Sequence, residues 1–96
     1  MKHISIMVRH RVNDYNAWKT EFDNFSEFRK SQGELSYQIL QPIDDTNNLR
    51  LIFEWDDVTR AKKFLESPEL RMTMEKAGVT EKPEITFVTE ADKGIP

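Results

Sequence analysis

Apolar residues along this chain repeat now at every second position, now at every third or fourth, and the order of these switches limits the possible folds more than any motif does. From His3 to Val12, Ile4, Ile6, Val8 and Val12 alternate with Ser5, Met7, Arg9 and Arg11, the period of a strand. Asn13 and Asp14 can cap a helix whose stripe Tyr15, Trp18, Phe22, Phe25 and Phe28 recurs at helical steps until Gly33 ends it. Alternation returns in Leu35 to Ile43 (Leu35, Tyr37, Ile39 and Ile43) and in Leu49 to Trp55 (Leu49, Leu51, Phe53 and Trp55). The turn formers Asp44, Asp45, Thr46, Asn47 and Asn48 lie between them, which predicts a hairpin. Asp56 or Asp57 can cap a helix carrying Val58, Ala61, Phe64 and Leu65. Ser67, Pro68 and Glu69 then restart it with Leu70, Met74 and Ala77 inward, and Gly78 stops it. Ile85, Phe87 and Val88 form a last strand after Pro83.

The order is βαββαβ, the ferredoxin-like α+β arrangement of two split βαβ units, with a predicted antiparallel sheet order 4-1-3-2. At 96 residues the chain makes one domain, assigned to residues 1–91 with a polar tail at 92–96. Chains of this size bury roughly 60–65% of their unfolded surface, enough for one modest core.

A formal net charge of −3 with both signs interspersed leaves no basic footprint for nucleic acid and no polybasic membrane patch. No apolar run approaches a membrane span, and the N-terminus lacks the layout of a signal peptide, so a cytoplasmic location is expected. The absence of cysteine removes disulfides, thiolate nucleophiles, iron–sulfur clusters and thiol-ligated zinc. The glycines are Gly33, Gly78 and Gly94, so no phosphate loop, dinucleotide fingerprint or serine elbow is present.

In the predicted sheet the first and third strands are central and need cover on both faces, while two helices cover one. The more apolar set (Ile4, Ile6, Val8 and His10; Tyr37 and Ile39; Leu51, Phe53 and Trp55; Ile85 and Phe87) is expected under the helices. The other face mixes Met7, Arg9, Leu40, Ile52 and Val88 with Ser5, Gln38, Arg50, Glu54 and Glu90. That mixture suits a homodimer in which two sheets pack face to face through Met7, Arg9, Arg50, Ile52 and Glu54, with Arg9 or Arg50 meeting Glu54 within or across subunits. A solvated open sheet is the alternative.

Several stretches together resemble a family of small bacterial proteins, the dimeric α+β-barrel proteins of the antibiotic-biosynthesis-monooxygenase type, including its uncharacterised and cyclase-like members. They are Val8 to Val12, Asp14 to Trp18, Glu54 to Asp57, Ala61 and Phe64, Ser67 to Leu70, and Met74 with Ala77, Gly78 and Val79. The resemblance covers nearly the whole chain and implies a ferredoxin-like protomer forming a dimeric α/β barrel. Proteins of this fold perform cofactor-free oxygenation, haem degradation, isomerisation or dehalogenation, and fold alone does not choose among them. The Asn, Trp and His set of the haem-degrading members has no matching arrangement here.

His10 is the candidate catalytic residue. Its parity places it on the helix-covered face near a strand end, where an imidazole can act as a general base near neutral pH on an aromatic or polyketide-like phenol, leaving a carbanion that reacts with oxygen or rearranges. The alternative, and the commoner case for a lone histidine, is a structural role, bonded to a backbone carbonyl or capping the helix that begins at Asp14. His3, seven residues away, faces the other side of a regular strand and cannot share a metal with it. Trp18, Phe22, Tyr37, Phe53, Trp55 and Met74, with Met72 nearby, are candidate walls of a small-molecule site, or simply core. Asp44, Asp45, Asn47 and Asn48 read as turn formers, since no calcium-loop pattern follows them.

Two functions remain open. One is a cofactor-independent monooxygenase or cyclase/isomerase, with no metal, for an apolar or aromatic ligand. The other is a non-catalytic ligand-binding or interaction homodimer. RNA recognition on this topology needs an aromatic and glycine-bearing third strand on a basic sheet, which Leu49 to Trp55 lacks.

Overall fold

The computed structural model describes residues 4–96, so His3 and any strand position it holds lie outside the described residues. The elements are β1 (Ile4–Arg11), α1 (Tyr15–Asn24), α2 (Ser26–Gln32), β2 (Glu34–Leu40), β3 (Asn48–Trp55), α3 (Val58–Leu65), α4 (Pro68–Lys76) and β4 (Glu84–Val88). They form one antiparallel sheet in the order β2-β3-β1-β4, which is the predicted 4-1-3-2 read from its other edge. Central β1 pairs on both sides: Ile6 stands between Phe53 and Phe87, and Val8 between Leu51 and Ile85.

Polar residues stop and start the helices by satisfying end groups that have no partner inside a helix. Asp14 Oδ2 accepts from the Ala17 amide at 2.9 Å, Asp57 Oδ2 from the Arg60 amide at 3.1 Å, and Ser67 Oγ from the Leu70 amide at 3.2 Å, with Pro68 following in the first turn. Gly33 ends α2 at φ 119°. A Cβ there would collide with Asp56 Oδ1 and stand 2.7 Å from Trp55 Nε1, so this position requires glycine twice over.

The long helix expected from Tyr15 to Gly33 is two segments. Phe25 leaves the helical region at φ −92°, ψ 2°, and the Phe22 carbonyl there accepts both from the Phe25 amide at 3.3 Å and from Nη1 of Arg29. The phenylalanine spacing runs through the break unaltered, and Phe25 and Phe28 still stack at 4.9 Å.

Ile6, Val8, Leu49, Leu51, Phe53 and Trp55 of the sheet pack against Trp18, Phe22, Ala61, Phe64 and Ala77 of the helices. The edge strands depart from expectation. β2 ends at Leu40, short of Pro42, and Ile43 is fully exposed. An irregular register between Glu34 and Ser36 marks the start of β2, and Leu35 there is exposed. Tyr37, Ile85 and Phe87 have the parity of the covered face but remain 45%, 40% and 37% exposed, because the helix layer is narrower than the sheet it covers.

On the uncovered face, the expected meeting of Arg9 or Arg50 with Glu54 does not occur within the protomer. Arg9 and Arg50 are cross-strand neighbours at one end of the β1–β3 pair, and Glu54 lies opposite Ser5 at the other. Ser5 Oγ donates to Glu54 Oε1 at 2.6 Å, Arg50 Nη1 donates to Asn48 Oδ1 at 2.8 Å, and Arg9 pairs with Glu84 at 3.4 Å. Met7 and Leu40 are exposed on this face and Ile52 is half-buried.

Candidate functional site

His10 sits near the end of β1, opposite Leu49, with its side chain turned under the helices. It is 7% exposed, and the edge of its ring meets Trp18 at a centroid distance of 5.7 Å and an interplanar angle of 81°. Neither Nδ1 nor Nε2 has a hydrogen-bond partner among the described residues. The structural roles open to this histidine, a bond to a backbone carbonyl or a helix cap, are therefore not what it does here; Asp14 caps α1. Desolvation pushes its pKa down from 6.5 to about 4, so the ring is neutral at pH 7 and offers one N–H and one lone pair. It is correspondingly a weaker base than an imidazole poised near neutrality. Unpartnered polar atoms of this kind cost folding free energy and are uncommon in native interiors.

Beside this ring lies a cavity of about 260 Å³ between the sheet and the helices. Val8, His10, Leu51, Phe53 and Ile85 form its floor. Trp18, Phe22 and Phe25 form one wall, and Phe64, Leu70 and Met74 the other. Of the six expected wall residues, Trp18, Phe22, Phe53 and Met74 line it. Tyr37 and Trp55 lie outside the lining. Tyr37 packs edge-on against Phe22 at the sheet margin, 5.0 Å between centroids. Trp55 is fully buried against Phe64, and its Nε1 donates to the Gln32 carbonyl at 2.9 Å, fastening the end of α2. Met72 turns outward.

A second, polar hollow of about 300 Å³ opens on the other side of His10, between Arg9, Arg11, Asn48, Glu81, Lys82 and Glu84. His10 and Lys82 border both spaces. Arg11 is held by Asp45 at 2.9 Å, and that hydrogen bond keeps the Asp45 carboxyl below its usual range. The aspartate turn is thus tied to β1, and among the described residues no group of three metal-ligating side chains occurs.

One residue of the cavity wall escaped the sequence reading. Arg29 is 3% exposed, with Nε donating to Glu34 Oε1 at 2.8 Å, Nη1 bonded to the Phe22 carbonyl, and Cζ 3.7 Å above the Phe22 ring. Burial raises the pKa of Glu34, against the pull of Arg29. The available signal was spacing: Arg29 follows Phe22 by seven residues, two helical turns along the apolar stripe.

No protein-family model matches this sequence, and no curated protein matches it. Among solved structures, the cofactor-independent oxygenase SnoaB from Streptomyces nogalater superposes with a TM-score of 0.78 at 18% identity over 97% of each chain. A candidate antibiotic biosynthesis monooxygenase from Bordetella bronchiseptica reaches a TM-score of 0.76 at 12% identity, covering 95% of this chain and 99% of that one. A similar candidate from Caulobacter crescentus reaches 0.72 at 11% identity, covering 94% and 91%. The chain therefore has the fold of the antibiotic-biosynthesis-monooxygenase-type proteins. No helix among the described residues is long and apolar enough to cross a membrane.

Proposed function

We propose that the cavity binds a small aromatic or polyketide-like molecule and that the protein is a cofactor-independent monooxygenase or cyclase/isomerase using His10. The observation that carries this reading is the buried imidazole with both nitrogens unpartnered, on the wall of an apolar cavity. Folding alone gives no reason to bury a polar ring unsatisfied, whereas a ligand hydroxyl would complete it. The similarity of fold to a cofactor-independent oxygenase supports the same class of chemistry.

In this reading the neutral ring accepts the proton of a phenol or an activated C–H. The imidazolium and the ligand anion then form an ion pair in a low-dielectric site, which offsets the low basicity of the free ring. The electron pair left on carbon goes to dioxygen in an oxygenase, or to an internal carbonyl in a cyclase. That low basicity also favours a second reading, in which His10 only hydrogen-bonds a ligand and the protein is a non-catalytic binding module.

The partner we propose is a second copy of the chain, stacked through the uncovered sheet face. The Arg9 and Arg50 end and the Glu54 end of that face are complementary when one sheet is turned over the other about a two-fold axis. Glu54→Ala should then weaken association by leaving an arginine unpaired in the interface, and a monomer by light scattering at micromolar concentration would refute the dimer.

Native mass spectrometry of freshly purified protein tests the binding reading. A retained small molecule supports the cavity as a site and identifies compounds to assay. Oxygen uptake or product formation that His10→Ala abolishes, with the circular dichroism spectrum unchanged, supports catalysis; binding without turnover supports the second reading.

A further inference from the structure

Four groups form a continuous ladder along the first cavity wall. His10 meets the face of Trp18 at 5.7 Å, Trp18 stacks on Phe22 at 4.8 Å and 25°, and the guanidinium of Arg29 lies 3.7 Å above Phe22. The ladder has flat apolar rungs and a polar group at each end. At one end is a neutral imidazole and at the other a cation. All four groups line the same cavity.

The arginine is only partly spent. Its Nε and Nη1 are engaged by Glu34 and the Phe22 carbonyl, and Nη2 makes no hydrogen bond among the described residues. A guanidinium has five N–H donors in a planar fork and cannot be deprotonated, so with Nη2 unengaged Arg29 brings a permanent positive donor to the lining of an apolar cavity.

We propose that the ligand is a flat ring system bearing an anionic oxygen, a carboxylate or enolate, which Arg29 Nη2 holds at the far end of the ladder from His10. This deepens the reading of the cavity as a small-molecule site and rests on it. A carboxylate or enolate oxygen on Arg29 makes a charge-assisted hydrogen bond in a desolvated setting, and the rings lie along Trp18 and Phe22. The acidic proton of the ligand then faces His10. Arg29 in this scheme fixes the direction in which the molecule enters.

The test uses two probes that differ in charge and little in shape, 6-hydroxy-2-naphthoate and 6-hydroxy-2-naphthamide, titrated calorimetrically into the full chain. The naphthoate should bind about tenfold more tightly, the usual worth of a hydrogen bond to a charged group. Arg29→Gln combined with Glu34→Gln, which removes the ion pair without stranding a charge, should erase the preference. Glu34→Gln alone, which leaves the guanidinium without its competing carboxylate, should tighten naphthoate binding and leave the naphthamide unchanged. If the double variant does not fold, Glu34→Gln decides the matter. Equal affinity of the wild type for both probes, or unchanged naphthoate binding in Glu34→Gln, overturns the role of Arg29 and leaves the cavity standing. Failure of both probes to bind the wild type at millimolar concentration removes the cavity reading itself, and this inference with it.

Discussion

Trp55 and His10 lie on the same covered face of two neighbouring strands, toward opposite ends of the sheet, and both are buried heteroaromatic rings. Around Trp55 the packing closes: its N–H bonds the Gln32 carbonyl, Phe64 lies 4.7 Å away, and Gly33 leaves room for nothing larger than hydrogen. Around His10 it stays open, with two unpartnered nitrogens, a cavity on one side and a polar hollow on the other. The difference shows where the fold places its stability and where it gives stability up. A ring whose hydrogen bond is made and whose faces are covered supports the native state. One left unsatisfied beside empty space weakens the native state and suits a ligand.

The contrast can be broken from either end. Trp55→Ala should cost the most, about 4 kcal/mol by the usual range for removing a buried aromatic, and urea unfolding would read it as a lowered midpoint. A loss under 1 kcal/mol would mean that this end is not a keystone. The pH dependence comes next. Because the folded pKa of His10 is near 4 and the unfolded value near 6.5, the unfolded state binds more protons in between. Stability is then full above about pH 6.5 and falls as the pH drops toward 4, by about 3 kcal/mol for this group alone. His10→Leu should flatten that part of the profile, and an unchanged slope would assign it to other groups. Gly33→Ala should cost about 2 kcal/mol through its positive φ and the collision with Asp56, measured in the same denaturant series. The smallest effect has the opposite sign. At neutral pH, His10→Leu should stabilise the protein by about 1 kcal/mol, because it removes two unsatisfied atoms from the interior. Destabilisation there would place the imidazole among the structural residues.

The closed end was the more legible in the sequence. There Gly33 as a stop, Asp57 as a cap and the alternation through Trp55 all carry local signals, since turn and cap chemistry is written in a few adjacent residues. The sheet order followed from the succession of elements. The break at Phe25 was hidden because Phe22, Phe25 and Phe28 keep helical spacing on both sides of it, and the side chain that reaches back to the Phe22 carbonyl there lies seven residues further on. Arg29 was passed over for a related reason. A charged residue on a helix ordinarily faces water, and partners visible only in three dimensions, Glu34 with the carbonyl and ring of Phe22, make its burial tolerable. His10 was singled out by parity, but its lack of partners depends on what surrounds it in three dimensions. The same limit explains Tyr37 and Trp55, which have the right parity for the cavity and lie outside its lining.

The most direct measurement is an NMR titration of the His10 ring in the free protein, following its carbon-bound ring protons from pH 8 to pH 3. A midpoint near 4, as an unpartnered ring desolvated beside an apolar cavity requires, is the predicted result. A midpoint at or above the ordinary value of 6.5 would mean that water or a charged partner already satisfies the ring, and would contradict the site.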